Sequence, residues 1–497
     1  MHSWRNGLTV RAALAALLAL PLAACGSDDN SALAMIVVGA PDDPFETGPR
    51  LSPAGQMVQA ATVEGLVAFD EQGRVIPALA DRWIVTDDGQ SYIFRLRDGT
   101  WRNGDDITAL SAKQAIDSAI KTLKGTPFGL DLGGIETIRV MAGRVIEIRL
   151  QRPMPYLLQL LAQPELGLLH DGEGSGPMAL DRKVSTARLS PIDPSRLGLP
   201  QIEDFAARTR AIRLDALPGK DAVARFNDGE VDLVTGGRFQ DFLLTRSVGL
   251  LRGTIQLDPV SGLFGLQVMN DKGFLGDPVR REALAMAIDR DALIAPFGVG
   301  NWMPTTRLVS PSLDGDLGTI GERWQDQPMD ERRAVAGRRV RDWLAAQPVP
   351  KMATVPLTIW LPEGDGSTVL LNQLSNDFAA IAVSLQRVPE PGRADLVLID
   401  DVARYPRAAW FLNRLSCAAR RGLCAADADA KVAEAAGLAD VERASLLAEA
   451  ETELTAANVF IPFGPPIRWS LVRGSVSGFS ANTWGWHPLM PLAWLPK

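Results

Sequence analysis

Short apolar runs alternate with turn residues between positions 64 and 104, and this pattern predicts a small β-rich unit. Gly73 and Gly89 each separate two runs that are rich in aliphatic and aromatic residues. Short runs of this kind, joined by glycine-containing turns, are typical of β-hairpins. Two more strand-like runs meet at Gly143, which predicts another hairpin within residues 135–150.

The rest of the chain alternates apolar strand-like runs with stretches in which apolar residues recur at helical spacing. The spacing predicts helices over residues 56–67, 110–124, 332–346 and 369–381, and two helices broken near Gly437 within residues 425–458. The apolar runs predict strands over residues 33–38, 210–214, 356–361, 383–388, 394–400, 459–463 and 467–472. Strands that alternate with helices favour parallel pairing, so the pattern indicates an α/β fold.

The first 24 residues have the pattern of an export signal. Arg5 and Arg11 precede an uncharged run over residues 12–24, which is shorter than the roughly 20 residues needed to span a membrane. A basic start followed by a short apolar run is typical of a signal peptide, so residues 1–24 are expected to be removed. Residues 25–32 are predicted to be a polar tether.

The end of this run resembles the lipobox of bacterial lipoproteins. It reads Leu-Ala-Ala-Cys-Gly, with the cysteine at position 25. In that family of signals the cysteine becomes the mature N-terminus and carries lipid, so the resemblance implies lipidation of Cys25. The alternative is an ordinary signal peptide that happens to end in a cysteine.

The composition argues against several classes of function. The 497 residues carry a formal net charge of −8, which argues against a nucleic-acid binder, since phosphate contacts require basic clusters. Three histidines argue against a histidine-rich metal site. The sequence lacks the Gly-x-Ser-x-Gly elbow, the His-Glu-x-x-His helix, the Walker lysine loop and the Gly-x-Gly-x-x-Gly fingerprint. We therefore expect a binding protein rather than an enzyme, with no metal and no cofactor.

If Cys25 is lipidated, two cysteines remain, Cys417 and Cys424. An exported chain meets oxidising conditions, which favours a disulfide between them. Two unpaired thiols are the alternative. A zinc site is disfavoured because the neighbouring sequence offers no further cysteine or histidine ligand.

The stretch from residue 64 to 104 resembles the signature of the family 5 extracellular solute-binding proteins, the oligopeptide and dipeptide receptors of ABC importers. The local departure is Trp101, where the family usually has another aromatic residue after a short spacer. The matching positions are Glu64, Leu66, Gly73, Pro77, Leu79, Ala80, Trp83, Asp88, Gly89, Tyr92, Phe94, Leu96, Arg97, Gly99 and Gly104.

A second stretch, residues 263–293, is similar to another motif of this family. There, Asp277 is predicted to cap a helix that begins at Pro278. Taken together, the matches extend from about residue 33 to 490. The matching positions of the second stretch are Asn270, Asp277, Val279, Arg280, Ala283, Ala287, Ile288, Asp289 and Arg290.

The resemblance implies an α/β fold of the two-lobed periplasmic-binding-protein type, in the large type II class with an extra β-rich subdomain. The expected boundaries are residues 33–54, 166–260 and 470–497 for lobe I, 55–165 for the β-rich subdomain and 261–469 for lobe II. A monomer is expected.

The resemblance also implies a function. We expect a substrate-binding lipoprotein that captures a peptide-like small solute in an interlobe cleft and delivers it to an ABC permease in the inner membrane. Such a chain would be exported to the periplasm and anchored to a membrane by lipid on Cys25. The alternatives are a sensor or scavenger on the same fold with a non-peptide ligand, and a hydrolase of envelope peptides.

Peptide-binding relatives hold the ligand amine with an aspartate upstream of the first disulfide cysteine. In this chain Asp400 and Asp401 lie earlier than that position, and Arg404 stands where acids are common. This departure opens the possibility of an anionic or non-peptide ligand, because arginine recognises carboxylates bidentately. The candidate ligand-binding residues, each of which could also be core or surface, are Phe45, Glu46, Met269, Asn270, Asp400, Asp401, Arg404, Trp484 and Trp486.

Overall fold

Two large mixed β-sheets and a smaller antiparallel sheet carry the fold. The computed structural model describes residues 32–249, 253–311, 313, 320–348, 352–438 and 440–496. The chain from Leu33 onward packs into one compact unit. Cys25 and the predicted signal peptide lie outside the described residues.

The strands are numbered here in chain order. They are β1 (Leu33–Val38), β2 (Val67–Phe69), β3 (Val75–Pro77), β4 (Ala80–Val85), β5 (Ser91–Leu96), β6 (Ile135–Ala142), β7 (Val145–Leu150), β8 (Met178–Lys183), β9 (Thr186–Pro191), β10 (Ile212–Leu217), β11 (Leu233–Arg238), β12 (Ile255–Leu257), β13 (Gly262–Val268), β14 (Val355–Trp360), β15 (Val383–Arg387), β16 (Leu396–Val402), β17 (Phe460–Gly464) and β18 (Arg468–Val472).

The α-helices are numbered in the same way. They are α1 (Pro53–Thr62), α2 (Ala109–Leu123), α3 (Pro127–Asp131), α4 (Leu157–Leu161), α5 (Phe205–Arg208), α6 (Gly219–Asn227), α7 (Pro278–Ala287), α8 (Arg290–Ile294), α9 (Met329–Ala345), α10 (Asp365–Ala379), α11 (Ala408–Arg414), α12 (Ala426–Ala435), α13 (Asp440–Ala457) and α14 (Leu489–Leu492).

The first large sheet has seven strands in the order β12-β18-β11-β1-β10-β9-β8. Its centre is β1, which pairs in parallel with both β10 and β11. Most of β1 is buried, as expected for a central strand whose sequence is an unbroken apolar run. The outer strands β9, β8, β18 and β12 join antiparallel.

The second large sheet has five strands in the order β15-β14-β16-β13-β17. The strand β14 pairs in parallel with β15 and β16, as the alternation of strands and helices predicts. The chain passes from the first sheet to the second through residues 258–261 and returns through residues 465–467. These two connections run side by side, since the Asp258 N–H donates to the Arg468 carbonyl at 3.1 Å.

The β-rich unit predicted from the glycine turns is present. The hairpin of β2 and β3 stands apart from a four-stranded antiparallel sheet in the order β4-β5-β7-β6. Glu64 and Arg97, two of the motif positions, form an ion pair at 2.5 Å. Ser175 donates to the same Glu64 oxygen at 3.3 Å, so this motif ties the β-rich unit to the following segment.

Helix ends follow the local sequence with two corrections, the first of which is that the helix predicted over residues 369–381 is α10, which begins at Asp365 and ends at Ala379. Asp277 caps α7 by accepting from the Val279 N–H at 2.8 Å, as predicted, and the break near Gly437 separates α12 from α13. The helix predicted over residues 56–67 is wrong at both ends. It is α1, which starts at Pro53 because Ser52 caps it, and β2 already begins at Val67.

Among the described residues, none of the helices combines the length and the apolar character that crossing a bilayer would require.

Candidate functional site

A cavity of about 570 Å³ opens where β11 and β16 end. Ligands of open α/β sheets bind beyond the carboxyl ends of strands, and pockets for small molecules span roughly 300–1,000 Å³. Position and volume therefore mark this space as a candidate ligand site, called the cleft cavity below. Its lining is Pro49–Pro53, Gln56, Thr126–Phe128, Gln163, Glu165, Arg238, Asp400–Arg404, Trp410, Arg414, Ala419–Arg421, Arg468 and Trp484–Trp486.

The charged groups in this lining are mainly cationic. Seven arginines face three carboxylates, those of Glu165, Asp400 and Asp401. The lining of the cleft cavity is therefore positive although the whole chain has a net charge of −8. The arginines are Arg50, Arg238, Arg404, Arg414, Arg420, Arg421 and Arg468.

Arg404 is held by groups from a distant part of the chain. Its two terminal nitrogens donate to the two Glu165 oxygens at 2.8 and 2.6 Å, a bidentate pair. It also donates to the Gln163 side-chain oxygen at 3.0 Å and lies 4.6 Å from the centre of the Phe128 ring. Burial alone would lower the pKa of Arg404, but Glu165 outweighs it and raises that pKa above its ordinary value.

A second buried acid near Arg404, besides Glu165, is Asp131. It accepts from the Tyr405 hydroxyl and the Asn413 amide, both at 3.0 Å, and lies 3.7 Å from Arg414. Burial raises the pKa of Asp131, and the neighbouring arginine and hydrogen-bond donors oppose that rise. Arg414 therefore already has a carboxylate partner outside the cleft cavity.

Asp400 and Asp401, at the end of β16, are each paired with an arginine. Arg468 donates to one Asp400 oxygen at 2.7 Å and to the Asp400 carbonyl at 2.9 Å. Arg421 forms a short ion pair with Asp401. Burial would raise the pKa of Asp401, but Arg421, assisted by neighbouring arginines, brings it below its ordinary value. Each carboxylate thus already has an arginine partner within the chain.

Arg238, the last residue of β11, differs from these arginines. Its side chain is half-buried, and no described residue forms a hydrogen bond or an ion pair with its guanidinium. Its backbone is fixed, since the Arg238 carbonyl accepts from the Trp469 indole N–H at 2.8 Å. The preceding Gly237 is required, because a Cβ there would lie 2.1 Å from the Trp469 ring.

The electrostatic surroundings of Arg238 are unfavourable for a cation. Burial, and then the positive charge of Arg468, lower the pKa of Arg238, while Asp400 and Asp401 oppose this decrease. A guanidinium nevertheless stays protonated in proteins. The cleft cavity therefore contains a partly desolvated positive charge that Asp400 and Asp401 compensate only in part and that forms no ion pair or hydrogen bond with a described residue.

Four polar atoms in the lining are buried without a hydrogen-bond partner among the described residues. They are one carboxylate oxygen of Asp400, whose side chain is 8% exposed, one terminal nitrogen of Arg414, and the indole N–H groups of Trp410 and Trp486. Buried polar atoms normally have partners, so such exceptions call for an explanation. Together with the half-buried guanidinium of Arg238 they put four donor groups and one acceptor in the lining of one cavity.

A smaller apolar cavity of about 230 Å³ adjoins the cleft cavity. Gln163 and Trp486 line both spaces. The smaller space is otherwise enclosed by the end of α1, by β2 and by the segment that leads into α14. An apolar part of a ligand could lie there beside the charged lining.

The sequence-predicted ligand-binding residues divide into two groups. Five of them line the cleft cavity: Asp400, Asp401, Arg404, Trp484 and Trp486. The tryptophans also reach the β2–β3 hairpin, since the Trp484 indole N–H donates to the Gly73 carbonyl at 2.8 Å.

The other four predicted residues lie outside this lining. Phe45 packs under the Arg182 guanidinium at 3.9 Å, and Glu46 accepts from the Ser52 N–H at 2.6 Å just before α1. Met269 and Asn270 follow β13, where the Asn270 amide donates to Asp395 at 3.0 Å. No bound ligand tests any of the nine residues, so their ligand-binding role stays a prediction.

Several lining residues had no sequence-based prediction, among them Arg238, Arg468, Arg421 and Glu165. Arg238 carried the clearest available signal, because a Gly-Gly pair precedes a charged residue at the end of an apolar run. The others become neighbours only through long-range packing.

Cys417 and Cys424 form a disulfide with an S–S distance of 2.10 Å. The loop between them carries Ala419, Arg420 and Arg421, three residues of the lining. The cross-link therefore holds the loop that supplies the partner of Asp401.

A surface cluster has the composition of a metal site. The ligand atoms of Asp105, His170 and Asp171 lie within 4.8 Å of one another. The two aspartates are exposed, His170 stacks on Trp101, and none of these residues lines the cleft cavity. Exposed acidic groups often cluster in this way without a metal, so we assign none.

Comparison with known proteins gives related chains and a shared fold. A family model described as "Bacterial extracellular solute-binding proteins, family 5 Middle" matches residues 74–190. The "Probable deoxycholate-binding periplasmic protein YgiS" of Escherichia coli (strain K12) is 29% identical over 313 residues, 55% of this chain and 56% of that protein. The "Glutathione-binding protein GsiB" of Salmonella typhi is 26% identical over 353 residues, 67% of this chain and 64% of that protein.

The chain thus spans little more than half of the first relative and just under two thirds of the second. The structural similarity extends further. The crystal structure of Haemophilus influenzae OppA in complex with RPPGFSPFR matches with a TM-score of 0.76 at 17% identity, covering 94% of this chain and 99% of that chain. This confirms the predicted α/β fold of the two-lobed periplasmic-binding-protein type. The family model and the related sequences agree with the motif at residues 64–104 and confirm the predicted resemblance to the family 5 bacterial extracellular solute-binding proteins.

Proposed function

We propose that this chain is the solute-binding component of an ABC importer and that it captures a small solute in the cleft cavity. The observation that carries the proposal is this cavity of about 570 Å³, lined by both large sheets beside the two connections between them. Two connections of this kind allow hinge closure, and a ligand that contacts both sheets would stabilise the closed form.

The location and the partners are part of the same proposal. The chain is exported, is held at a membrane by lipid on Cys25, acts as a monomer and delivers its solute to an ABC permease. We assign residues 33–54, 166–260 and 470–497 to lobe I, residues 55–165 to the β-rich subdomain and residues 261–469 to lobe II. The proposed role is binding rather than catalysis, in keeping with the binding proteins among its relatives.

The solute class follows from the lining rather than from the relatives, whose named ligands are a bile acid, glutathione and a nonapeptide. Asp400 and Asp401 are both occupied by arginines, which disfavours capture of a peptide by its free amine. A peptide-like solute remains in the proposal, provided that its recognition depends on acidic groups. The adjoining apolar cavity would accommodate an aliphatic or aromatic portion of the solute.

A thermal-shift screen of the full-length protein against short peptides, sugars, small acids and metal chelates tests the function. A ligand that binds only the folded state raises the unfolding temperature by mass action. Small-angle scattering on the same samples should show a smaller radius of gyration with the ligand than without it. Absence of a shift with every class would contradict the receptor function, if native mass spectrometry of the purified protein also shows no retained ligand.

A further inference from the structure

We propose that the cleft cavity selects solutes that carry a carboxylate and a net negative charge, and that Arg238 binds this carboxylate. The inference rests on the proposed solute-binding function and narrows it to one chemical class. It assigns a role to a residue outside the predicted ligand-binding set.

The first argument is the balance of charge in the lining. Arg404, Arg421, Arg468 and Arg414 are neutralised by Glu165, Asp401, Asp400 and Asp131. Three arginines remain without a carboxylate partner among the described residues: Arg50, Arg238 and Arg420. Arg50 and Arg420 are exposed, so water screens their charges.

Arg238 cannot be screened in the same way, because it is half-buried and lies beside the positive charge of Arg468. Burying an unpaired charge is costly, and proteins generally pair such charges. Asp400 and Asp401 compensate this charge only in part, and a solute carboxylate in the cleft cavity would supply a directly hydrogen-bonded counter-ion.

The second argument is geometry. The backbone of Arg238 is held by the hydrogen bond from Trp469 and by the close packing of Gly237 on that ring. A guanidinium on a fixed backbone presents two parallel N–H donors, which match a carboxylate. The order imposed on Arg238 before binding reduces the entropy lost when the solute binds.

The third argument concerns the alternatives to an anion. A cationic solute would enter a lining that is already positive and would compete with Arg468 for Asp400 or with Arg421 for Asp401. A neutral solute would leave the Arg238 guanidinium without an ion-pair partner. The free Asp400 oxygen can accept a hydrogen bond, and the free Arg414 nitrogen and the Trp410 and Trp486 N–H groups can donate, so the expected solute also carries hydroxyl or amide groups.

The test is isothermal titration calorimetry of the full-length protein with matched acids and esters. The probes are deoxycholate and its methyl ester, glutathione and its diethyl ester, and citrate and its triethyl ester. Trilysine and maltose serve as a cationic and a neutral probe. We expect at least one acid to bind about tenfold or more tightly than its ester, which corresponds to one lost charged hydrogen-bonding group.

Arg238→Gln should weaken binding of that acid by about tenfold or more and remove the difference between acid and ester. Arg238→Lys keeps the charge without the bidentate fork and should retain part of the affinity. The matched control is Arg338→Gln, which removes the same charge from an exposed position of α9 and should leave the affinity unchanged.

The outcomes separate the two proposals. Equal binding of acid and ester, or tight binding of only maltose or trilysine, would overturn the carboxylate inference while leaving the receptor function in place. Failure of every probe to bind would count against both. If Arg238→Gln does not fold, as judged by circular dichroism, the comparison of acid and ester on the unchanged chain still tests whether the cleft cavity selects a carboxylate.

Discussion

Two arginines in the lining of one cavity show how differently the same residue type can be used. Arg404 is neutralised by Glu165 in a bidentate ion pair and packs on Phe128. The guanidinium of Arg238 has no hydrogen bond or ion pair with any described residue, although the side chain is half-buried. The side around Arg404, which we call the paired wall, also contains Gln163 and Asp131. The side around Arg238, the unpaired wall, contains the free Asp400 oxygen.

The difference teaches how to separate stabilising groups from ligand-binding groups in an empty site. On the paired wall each charge meets an opposite charge within the chain, so its contribution is to the folded state. On the unpaired wall the Arg238 charge is partly desolvated and only partly compensated by Asp400 and Asp401, so its presence opposes stability until an anion binds. The predictions below test this division, from the largest expected effect to the smallest.

The largest effect is expected on the paired wall. Arg404→Gln leaves the Glu165 carboxylate, whose side chain is 1% exposed, buried without a partner. The free energy of unfolding should fall by about 3–5 kcal/mol, the usual cost of breaking a buried pair. Urea unfolding of the ligand-free protein measures it. The matched control is the double variant Arg404→Gln with Glu165→Gln, which removes both charges and should recover most of the loss. A single-variant loss below about 1 kcal/mol would show that the pair is not structural.

The disulfide is expected to contribute the next largest amount. Cys417→Ser with Cys424→Ser opens a short loop and should lower the free energy of unfolding by roughly 2–3 kcal/mol in the chain-entropy model. Because this loop carries Arg421, we expect the Arg421–Asp401 pair to loosen as well. Urea unfolding of the unchanged protein with a reducing agent provides the control and should give a similar loss. Equal stability of the oxidised and reduced proteins would contradict the account.

A smaller effect is expected at Asp241, which lies three residues beyond Arg238 and whose carboxylate also has no hydrogen bond or ion pair with a described residue. Burial, and then the nearby Asp365, raise the pKa of Asp241 to about 6. A raised carboxyl pKa favours the protonated form in the folded state. The associated stability is therefore present below the ordinary pKa near 3.8 and is lost as the pH rises through about 6.

Asp241→Asn should accordingly stabilise the protein at pH 8, by on the order of 1 kcal/mol after allowance for solvent screening, and much less at pH 4. Urea unfolding across this pH range measures the difference. The control is Asp81→Asn, an exposed aspartate that should change neither the stability nor its pH dependence. The same gain at both pH values would show that the effect is not due to ionisation of Asp241.

The sequence predicted most of the local structure because the relevant interactions are local. Asp277 and Pro278 specify the start of α7, and the glycine near position 437 marks the break between α12 and α13. The start of α1 was misplaced because Ser52 and Pro53, the cap and the first helical residue, were left in the preceding loop.

The cleft cavity could be predicted only in part. Asp400, Asp401 and Arg404 were found because they form a cluster in the sequence ahead of Cys417. The sequence did not predict the partner of Arg404, because that partner, Glu165, lies 239 residues away in the chain. Whether a charge is paired depends on the packing of several distant segments, and no local pattern encodes that. The unpaired state of Arg238 is therefore a property of the fold alone.

Urea unfolding of Arg238→Gln beside Arg404→Gln, both without ligand, tests the division between the two walls most directly. Both variants remove one positive charge from the lining of the same cavity. We expect Arg404→Gln to lose about 3–5 kcal/mol, and Arg238→Gln to stay within about 1 kcal/mol of the unchanged protein or to exceed it. A loss at Arg238 as large as that at Arg404 would contradict the account, since it would mean that Arg238 stabilises the fold rather than awaiting an anion.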